Sequence, residues 1–322
     1  MKRVLSPYSK ITIFLGSLCR VLPACLWWPL SWVTGEILYW INRGRRRRVC
    51  MAFHALCETA SITQPPAKLT RRFFHRQLML TVAQYAILGA SPARLKKLVA
   101  VEGLDRVEDA LAMGNGLVVT SMHIGTYLLA TAYLEQLGYQ ITNLRKAFMK
   151  DIASRRLREM LYIHRDAIYL GDSTGLRSPI REVIRRLMNN HVMGIAFDGD
   201  EGGREMGMPF FGRQIHVRAG ALDVARLANS SIVFGLCVIR NRRYFIHYYP
   251  LCCSRSGRNR EADLDLFFSE SARQFEKMVR EYPECVLFMR PLCQALGLEK
   301  PDADEEHQPE YAMSATAGHE PA

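Results

Sequence analysis

Apolar positions along this 322-residue chain follow two periods, one typical of amphipathic helices and one of buried strands. Short apolar runs bounded by turn residues predict strands at residues 116–121, 140–144, 192–197, 231–239 and 244–249. Helical periodicity predicts helices at residues 126–137, 151–163, 219–228 and 262–282, and over most of 52–98 with a loop at 61–66. Ser178 and Pro179 are typical of a helix start, and that helix is expected to end near Asn189.

Strands that alternate with helices predict the fold class. We expect an α/β domain with a mixed, mostly parallel sheet flanked by helices. Residues 208–212, Met-Pro-Phe-Phe-Gly, are expected to form an exposed apolar loop.

The N-terminal pattern is different, because residues 11–41 are apolar, aromatic and interrupted. Pro23 and Pro29 disturb a continuous helix, and all four tryptophans of the chain lie there, a distribution typical of a membrane interface. We interpret this stretch as an N-terminal membrane-anchoring helical segment. A single irregular span and an internal core helix of a soluble protein are the alternatives.

Charge is unevenly distributed. The net charge is +12, with Arg43 and an arginine run at 45–48 directly after the apolar segment, whereas the tail after Lys300 is acidic. These features predict a membrane-anchoring segment with a basic flank at 1–50, an α/β domain at 51–300 and a disordered acidic tail at 301–322. The basic flank favours anionic lipid, and nucleic acid is a weaker alternative because no DNA-reading motif is present.

Cysteine usage bounds the compartment and the chemistry. Nine cysteines, an odd number without a Cys-x-x-Cys pair, indicate neither a disulfide framework nor a zinc site. A reducing, cytoplasm-facing environment fits this pattern.

Candidate chemistry lies at the ends of predicted strands. His123 follows the strand at 116–121, and Asp198 and Asp200 follow the strand at 192–197. Ligands bind at the carboxyl edge of such sheets, and a histidine there can abstract a proton at neutral pH. The alternative is a plain glycine-rich turn with solvated acids.

Five motifs in order give the stretch from Val101 to Leu296 a resemblance to a known family. They are His-Ile-Gly at 123–125, Arg145, Asp-Gly-Asp at 198–200, Met-Pro-Phe-Phe-Gly at 208–212 and the ending Pro-Glu-Cys-Val-Leu-Phe-Met-Arg at 283–290. In this respect the chain resembles the bacterial lipid A late acyltransferases of the lysophospholipid acyltransferase superfamily.

The resemblance implies an enzyme on the cytoplasmic face of the bacterial inner membrane. It would move a fatty acyl group from acyl carrier protein or acyl-coenzyme A to a membrane lipid, without a metal or cofactor and without nucleic acid as a partner. His123 would be the general base, and a helix N-terminus near Gly125 would stabilise the oxyanion. The residues expected to bind substrate are Gly125, Arg145, Arg155, Arg156, Phe210, Phe211 and Gly212; a solvated basic helix face and core packing are the alternatives for the arginines and phenylalanines.

One position departs from the family's pattern. The acidic residue that the family carries five positions after the histidine is Leu128 here, which cannot orient an imidazole. Three explanations stay open: Asp198 or Asp200 replaces that carboxylate, the acceptor is an amine that needs less activation, or the chain is a lipid- or carrier-binding scaffold without catalysis.

Overall fold

The computed structural model describes residues 18, 22–87, 90–146, 166–170, 178–199, 203–251 and 259–298. The predicted helix at 151–163, with Arg155 and Arg156, lies outside these residues, as do Asp200 and the acidic tail.

Four helices open the described chain. They are α1 (Ala24–Ile41), α2 (Arg43–Ala60), α3 (Pro66–Ile87) and α4 (Pro92–Leu98). Helix α1 packs along α3 at very short range, because a Cβ on Gly35 would lie 2.5 Å from the backbone of His75. Ser31 Oγ donates a hydrogen bond of 2.5 Å to the His75 carbonyl at the same contact.

The α/β part follows. Its elements are β1 (Val99–Glu102), α5 (Leu104–Ala112), β2 (Leu117–Ser121), α6 (Leu128–Gln136), β3 (Ile141–Lys146), β4 (Ala167–Leu170), α7 (Pro179–Met188), β5 (Val192–Ala196), β6 (Glu205–Phe210), β7 (Arg213–Arg218), α8 (Gly220–Leu227), β8 (Ser231–Arg240), β9 (Arg243–Pro250), α9 (Arg260–Glu281), a 3-10 turn (Pro283–Cys285) and α10 (Arg290–Ala295).

Seven of the strands form one sheet in the order β1-β9-β8-β2-β5-β3-β4. Its pairs are parallel except β8 with β9, and β6 with β7 forms a separate antiparallel hairpin. The crossover from β2 to β3 through α6 and the crossover from β5 to β8 through α8 run in opposite directions across the sheet. Right-handed crossovers therefore place α6 and α8 on opposite faces. The expected fold class, a mostly parallel mixed sheet flanked by helices, is confirmed.

The structure corrects several sequence-based boundaries. Strands β1 and β4 and helix α5 were not predicted, and α6 begins at Leu128 rather than at Thr126. The expected exposed loop at 208–212 was wrong, because Met208 and Phe210 lie fully buried in β6 and the hairpin turn follows. Buried and exposed residues alternate along β6, but Gly207 and Pro209 are residue types that are uncommon inside strands, so the sequence does not indicate a strand there.

Helix α1, which lies in the predicted membrane-anchoring segment, packs against α3 within the fold. No helix among the described residues is both long and apolar enough to cross a membrane. Arginines of the basic flank also serve the fold, since Arg45 lies over Phe74 at 5.7 Å and Arg46 over Tyr39 at 4.9 Å.

Candidate functional site

The segment between β2 and α6 is held rigidly at the carboxyl edge of the sheet. Gly125 donates its backbone N–H to the Cys285 carbonyl at 2.7 Å, and Thr126 donates its N–H to the Cys237 carbonyl at 3.0 Å. Gly125 adopts φ +58°, and a Cβ there would collide with the Cys237 carbonyl, so glycine is required. These contacts fix the position of the neighbouring His123.

His123 and Asp198 form a buried pair, each with only 5% of its surface exposed. The His123 Nδ1 to Asp198 Oδ1 distance is 2.7 Å, and the His123 backbone N–H donates to Asp198 Oδ2 at 2.8 Å. An ionised carboxylate only accepts hydrogen bonds, so Nδ1 carries the proton and Nε2 is the basic nitrogen. One carboxylate thus orients both the main chain and the ring of His123.

Tyr127 completes the support of the imidazole. The rings of His123 and Tyr127 have centroids 4.2 Å apart at an angle of 57°.

Because α6 begins at Leu128, the amides of Gly125 and Thr126 lie ahead of the helix and donate to carbonyls of the protein. The expected oxyanion-stabilising helix N-terminus therefore begins three residues after Gly125.

A fork between two strands opens beside the pair. The β3–β5 ladder ends at Asn143 and Gly194, whereas β3 continues with β4 and β5 continues with β2. A cavity of about 520 Å³ occupies this fork and is lined by residues of both sheet faces. Since side chains alternate along a strand, Asn143 lies towards α6 and Leu144 towards α8. The cavity thus passes between the strand ends from one face to the other.

The lining of this fork cavity combines one reactive group with a mostly apolar wall. His123, Leu128 and Arg145 line it, together with Ile195 and Val224. Leu128 therefore faces the same space as His123 but adds only apolar surface. Two nitrogens of the Arg145 guanidinium, Nε and Nη2, are shielded from solvent. A basic nitrogen beside an apolar cavity suits proton abstraction next to a bound hydrocarbon group.

A second, polar cavity of about 640 Å³ adjoins the first. Gly199 and Arg218 line both cavities. Arg218 pairs with Glu205 at 3.1 Å, and Arg290 at the start of α10 also lines the polar cavity. The two cavities together offer an apolar compartment and a polar one that share Gly199 and Arg218 in their walls.

The other residues predicted to bind substrate lie away from the two cavities or outside the residues that the structure describes. Phe210 is fully buried with its ring 5.8 Å from that of Phe275, and Phe211 packs under the Arg280 guanidinium at 4.4 Å. Phe210, Phe211 and Gly212 are absent from the linings of the fork and polar cavities. Their predicted contact with substrate stays a prediction.

Sequence reasoning missed the inner end of the fork cavity. Gly194, Asn143 and Thr131 meet there, and a Cβ on Gly194 would overlap Asn143 Oδ1 and lie 3.1 Å from Thr131 Cγ2. A lone glycine inside a strand pattern is a signal of close approach, and this signal could have identified the position.

Two buried thiols beside the His123 loop are not nucleophiles. Burial raises the pKa of the Cys237 thiol to about 12, and burial also raises the pKa of Cys285. Both thiols are protonated at neutral pH, so their role is to support the loop. Within the described part of the chain, no group of His, Cys, Asp and Glu is arranged to hold a metal ion.

Comparison with known proteins shows the family to which the chain belongs. A sequence model of the family described as bacterial lipid A biosynthesis acyltransferase matches residues 11–293. The chain belongs to this family. The predicted resemblance to an acyltransferase family is therefore confirmed, and the match crosses the predicted domain boundary at residue 50.

One curated relative gives a partial match. The phosphatidylinositol mannoside acyltransferase of Mycobacterium tuberculosis is 26% identical to the chain over 164 residues, which are 49% of each protein. The chain thus matches about half the length of this relative.

Proposed function

We propose that this protein transfers a fatty acyl group from an acyl thioester to a hydroxyl group of a membrane lipid, with His123 as general base and Asp198 as the carboxylate that orients it. The observation that carries the proposal is the 2.7 Å His123–Asp198 pair beside a largely apolar cavity. Membership in the acyltransferase family supports the same reaction.

The chemistry uses His123 twice. Nε2 takes the proton of the acceptor hydroxyl while its oxygen attacks the thioester carbonyl carbon, and the carbonyl becomes a tetrahedral oxyanion. When the intermediate collapses, the carbon–sulfur bond breaks, and the imidazolium returns the proton to the leaving thiolate. Asp198 stabilises the imidazolium between these two steps. The positive end of the α6 dipole, at Leu128, favours negative charge on the oxyanion.

The two cavities accommodate different parts of the substrates. The apolar fork cavity suits the acyl chain, and Arg145 at its wall suits a phosphate or carbonyl oxygen of a substrate. The adjoining polar cavity suits a hydrophilic headgroup or the arm that carries the thioester. Acyl carrier protein and acyl-coenzyme A are both suitable donors.

We place the protein at the cytoplasmic face of the bacterial inner membrane. Support comes from the outer face of α1, which exposes Leu26, Val33, Ile37 and Trp40, with Trp40 61% exposed. The opposite face of α1 packs into the protein through Trp27 and Ser31. An exposed row of aliphatic and tryptophan side chains suits the interfacial layer of a bilayer.

Replacement of His123 tests the reaction. His123→Ala should lower acyl transfer from acyl carrier protein or coenzyme A thioesters to membrane lipid by about 10²–10⁴-fold, because a positioned general base contributes about that factor. His54→Ala, at an exposed histidine on α2, is the matched control. Unchanged turnover of the His123→Ala protein would remove His123 from the mechanism.

A further inference from the structure

We propose that a small cationic cleft at the N-terminal end of α1 binds the phosphate of an anionic phospholipid headgroup. The cleft has a volume of about 320 Å³ and lies between the first turn of α1, the end of α4 and the β8–β9 turn. It is separate from the fork and polar cavities, with which it shares no lining residue.

Hydrogen bonds between the three elements make the cleft a built site. The Trp28 indole N–H donates to the Arg242 carbonyl at 2.7 Å and ties α1 to the β8–β9 turn. Arg243 Nη2 donates to the carbonyls of Lys96 and, at 2.9 Å, Val99, and ties the same turn to α4 and β1. These hydrogen bonds join α1, α4 and β1 through the β8–β9 turn.

Among the residues that the structure describes, the lining of the cleft is cationic and contains no acid. Lys97, Arg242 and Arg243 line the cleft, and none of the three forms an ion pair among the described residues. Arg242 has φ +60° in the turn, a conformation uncommon for a residue with a long side chain. Three cationic side chains thus line the cleft without an ion-pair partner among the described residues.

The end of α1 adds further hydrogen-bond donors. The α1 N-terminus has no side-chain cap and no acidic residue in its first turn, so its positive end lacks a counter-charge from these positions. The buried Trp27, which lines the cleft, has an indole N–H with no acceptor among the residues that the structure describes. An anion in the cleft would supply an acceptor and a counter-charge together.

The neighbouring surface identifies the phosphate as that of a lipid. Leu26, beside the lining residues Cys25 and Trp27, is 47% exposed and begins the apolar outer face of α1. A headgroup in the cleft would have its acyl chains next to this face. The inference thus rests on the proposed membrane contact of α1 but is independent of acyl transfer.

Vesicle binding by the full chain tests the cleft. Co-sedimentation is measured with phosphatidylcholine vesicles and with phosphatidylcholine–phosphatidylglycerol vesicles, and the ratio of the two affinities is the readout. The double variant Lys97→Gln, Arg242→Gln should lower that ratio about tenfold or more, given the attraction of single cations to an anionic surface. The variant Lys68→Gln, Arg181→Gln removes the same net charge from exposed positions outside the cleft and should change the ratio less than about twofold.

The outcomes separate a site from general electrostatics and from the proposed function. Equal losses in both double variants, or no loss in the cleft variant, would overturn the inference. Inorganic phosphate, added at the concentration of vesicle phosphate, should not compete with the anionic vesicles for the protein. Full competition would assign the cleft to free phosphate and overturn the lipid assignment. Acyl transfer from a soluble thioester to a detergent-dispersed acceptor should be unchanged in the cleft variant. The vesicle experiment does not depend on this transfer, so failure of the proposed acyltransferase function would leave the test of the cleft valid.

Discussion

At the scale of single residues, the decisive feature is a carboxylate that comes from a distant part of the chain. Leu128 occupies the position where the resemblance leads us to expect an acid, and Asp198, 75 residues after His123, lies against Nδ1. Of the three explanations open from the sequence, this geometry supports a replacement carboxylate. Two substitutions test it.

Asp198→Asn should reduce acyl transfer by about 10³–10⁴-fold. The amide can donate a hydrogen bond to Nδ1, which favours the tautomer that leaves Nε2 protonated and unable to accept a proton. Steady-state turnover measures the effect, and circular dichroism checks that the fold is retained. Asp265→Asn, at an exposed position of α9, is the control. A loss below tenfold would show that Asp198 does not orient the base.

Leu128→Glu should not increase turnover. Nδ1 of His123 is already bound to Asp198, and a carboxylate in the mostly apolar fork cavity would hinder binding of a hydrocarbon chain. Leu128→Met is the matched control, since it conserves volume without charge. A gain of turnover on introduction of the glutamate would instead favour the scaffold hypothesis, in which the wild-type chain has lost the catalytic carboxylate.

At the scale of elements, α1 is fastened to α3 by one carboxylate. Glu36 accepts hydrogen bonds from Arg71 Nη2 at 2.6 Å and from Trp40 at 2.9 Å, and lies 2.6 Å from His75 Nε2. Hydrogen bonding from Arg71 above all holds the pKa of Glu36 at about 2, below its usual value of 4.5. Because the folded pKa is depressed, the associated stability is present above pH 4.5 and is lost as the pH falls towards 2.

Glu36→Gln should therefore lower the thermal midpoint at neutral pH, and the difference from wild type should shrink between pH 4.5 and pH 2. Differential scanning calorimetry across this range measures it. Glu58→Gln, at an exposed pair with His54, controls for the loss of a carboxylate. A difference that does not change with pH would contradict the ionised Glu36 clamp.

At the scale of the whole molecule, the structure combines an exposed apolar helix face with a buried reactive pair. The outer face of α1 would bring the protein to the bilayer, while His123 and the fork cavity lie in the α/β part. The proposed membrane contact and the proposed chemistry thus lie on different elements and should be separable by mutation.

The double variant Val33→Asp, Ile37→Asp should reduce binding to vesicles of any composition, because two charges on the outer face of α1 oppose its burial among lipids. Transfer between a soluble thioester and a detergent-dispersed acceptor should change little. Met188→Asp, an exposed hydrophobic at the end of α7, is the control for added charge on the surface. Equal vesicle binding by the double variant and wild type would remove α1 from the membrane contact.

The sequence by itself determined the α/β class, the five longer strands of the sheet and the two strand ends that carry His123 and Asp198. Apolar runs and helical periodicity are local properties, so these elements are readable from neighbouring residues. Strands β1 and β4 were not predicted because they have only four residues each. Strand β6 was not predicted because Gly207 and Pro209 interrupt its apolar pattern.

Only the tertiary structure decided which acid pairs with His123, where strands β3 and β5 separate to form the fork cavity, and which face of α1 is exposed. The pairing of His123 with Asp198 depends on the register of β2 with β5, and the fork depends on where the β3–β5 ladder ends. Register and strand divergence are set by contacts between residues far apart in the chain. For that reason spacing alone left Asp198 and Asp200 as equal candidates, whereas the folded sheet places Asp198 against the imidazole.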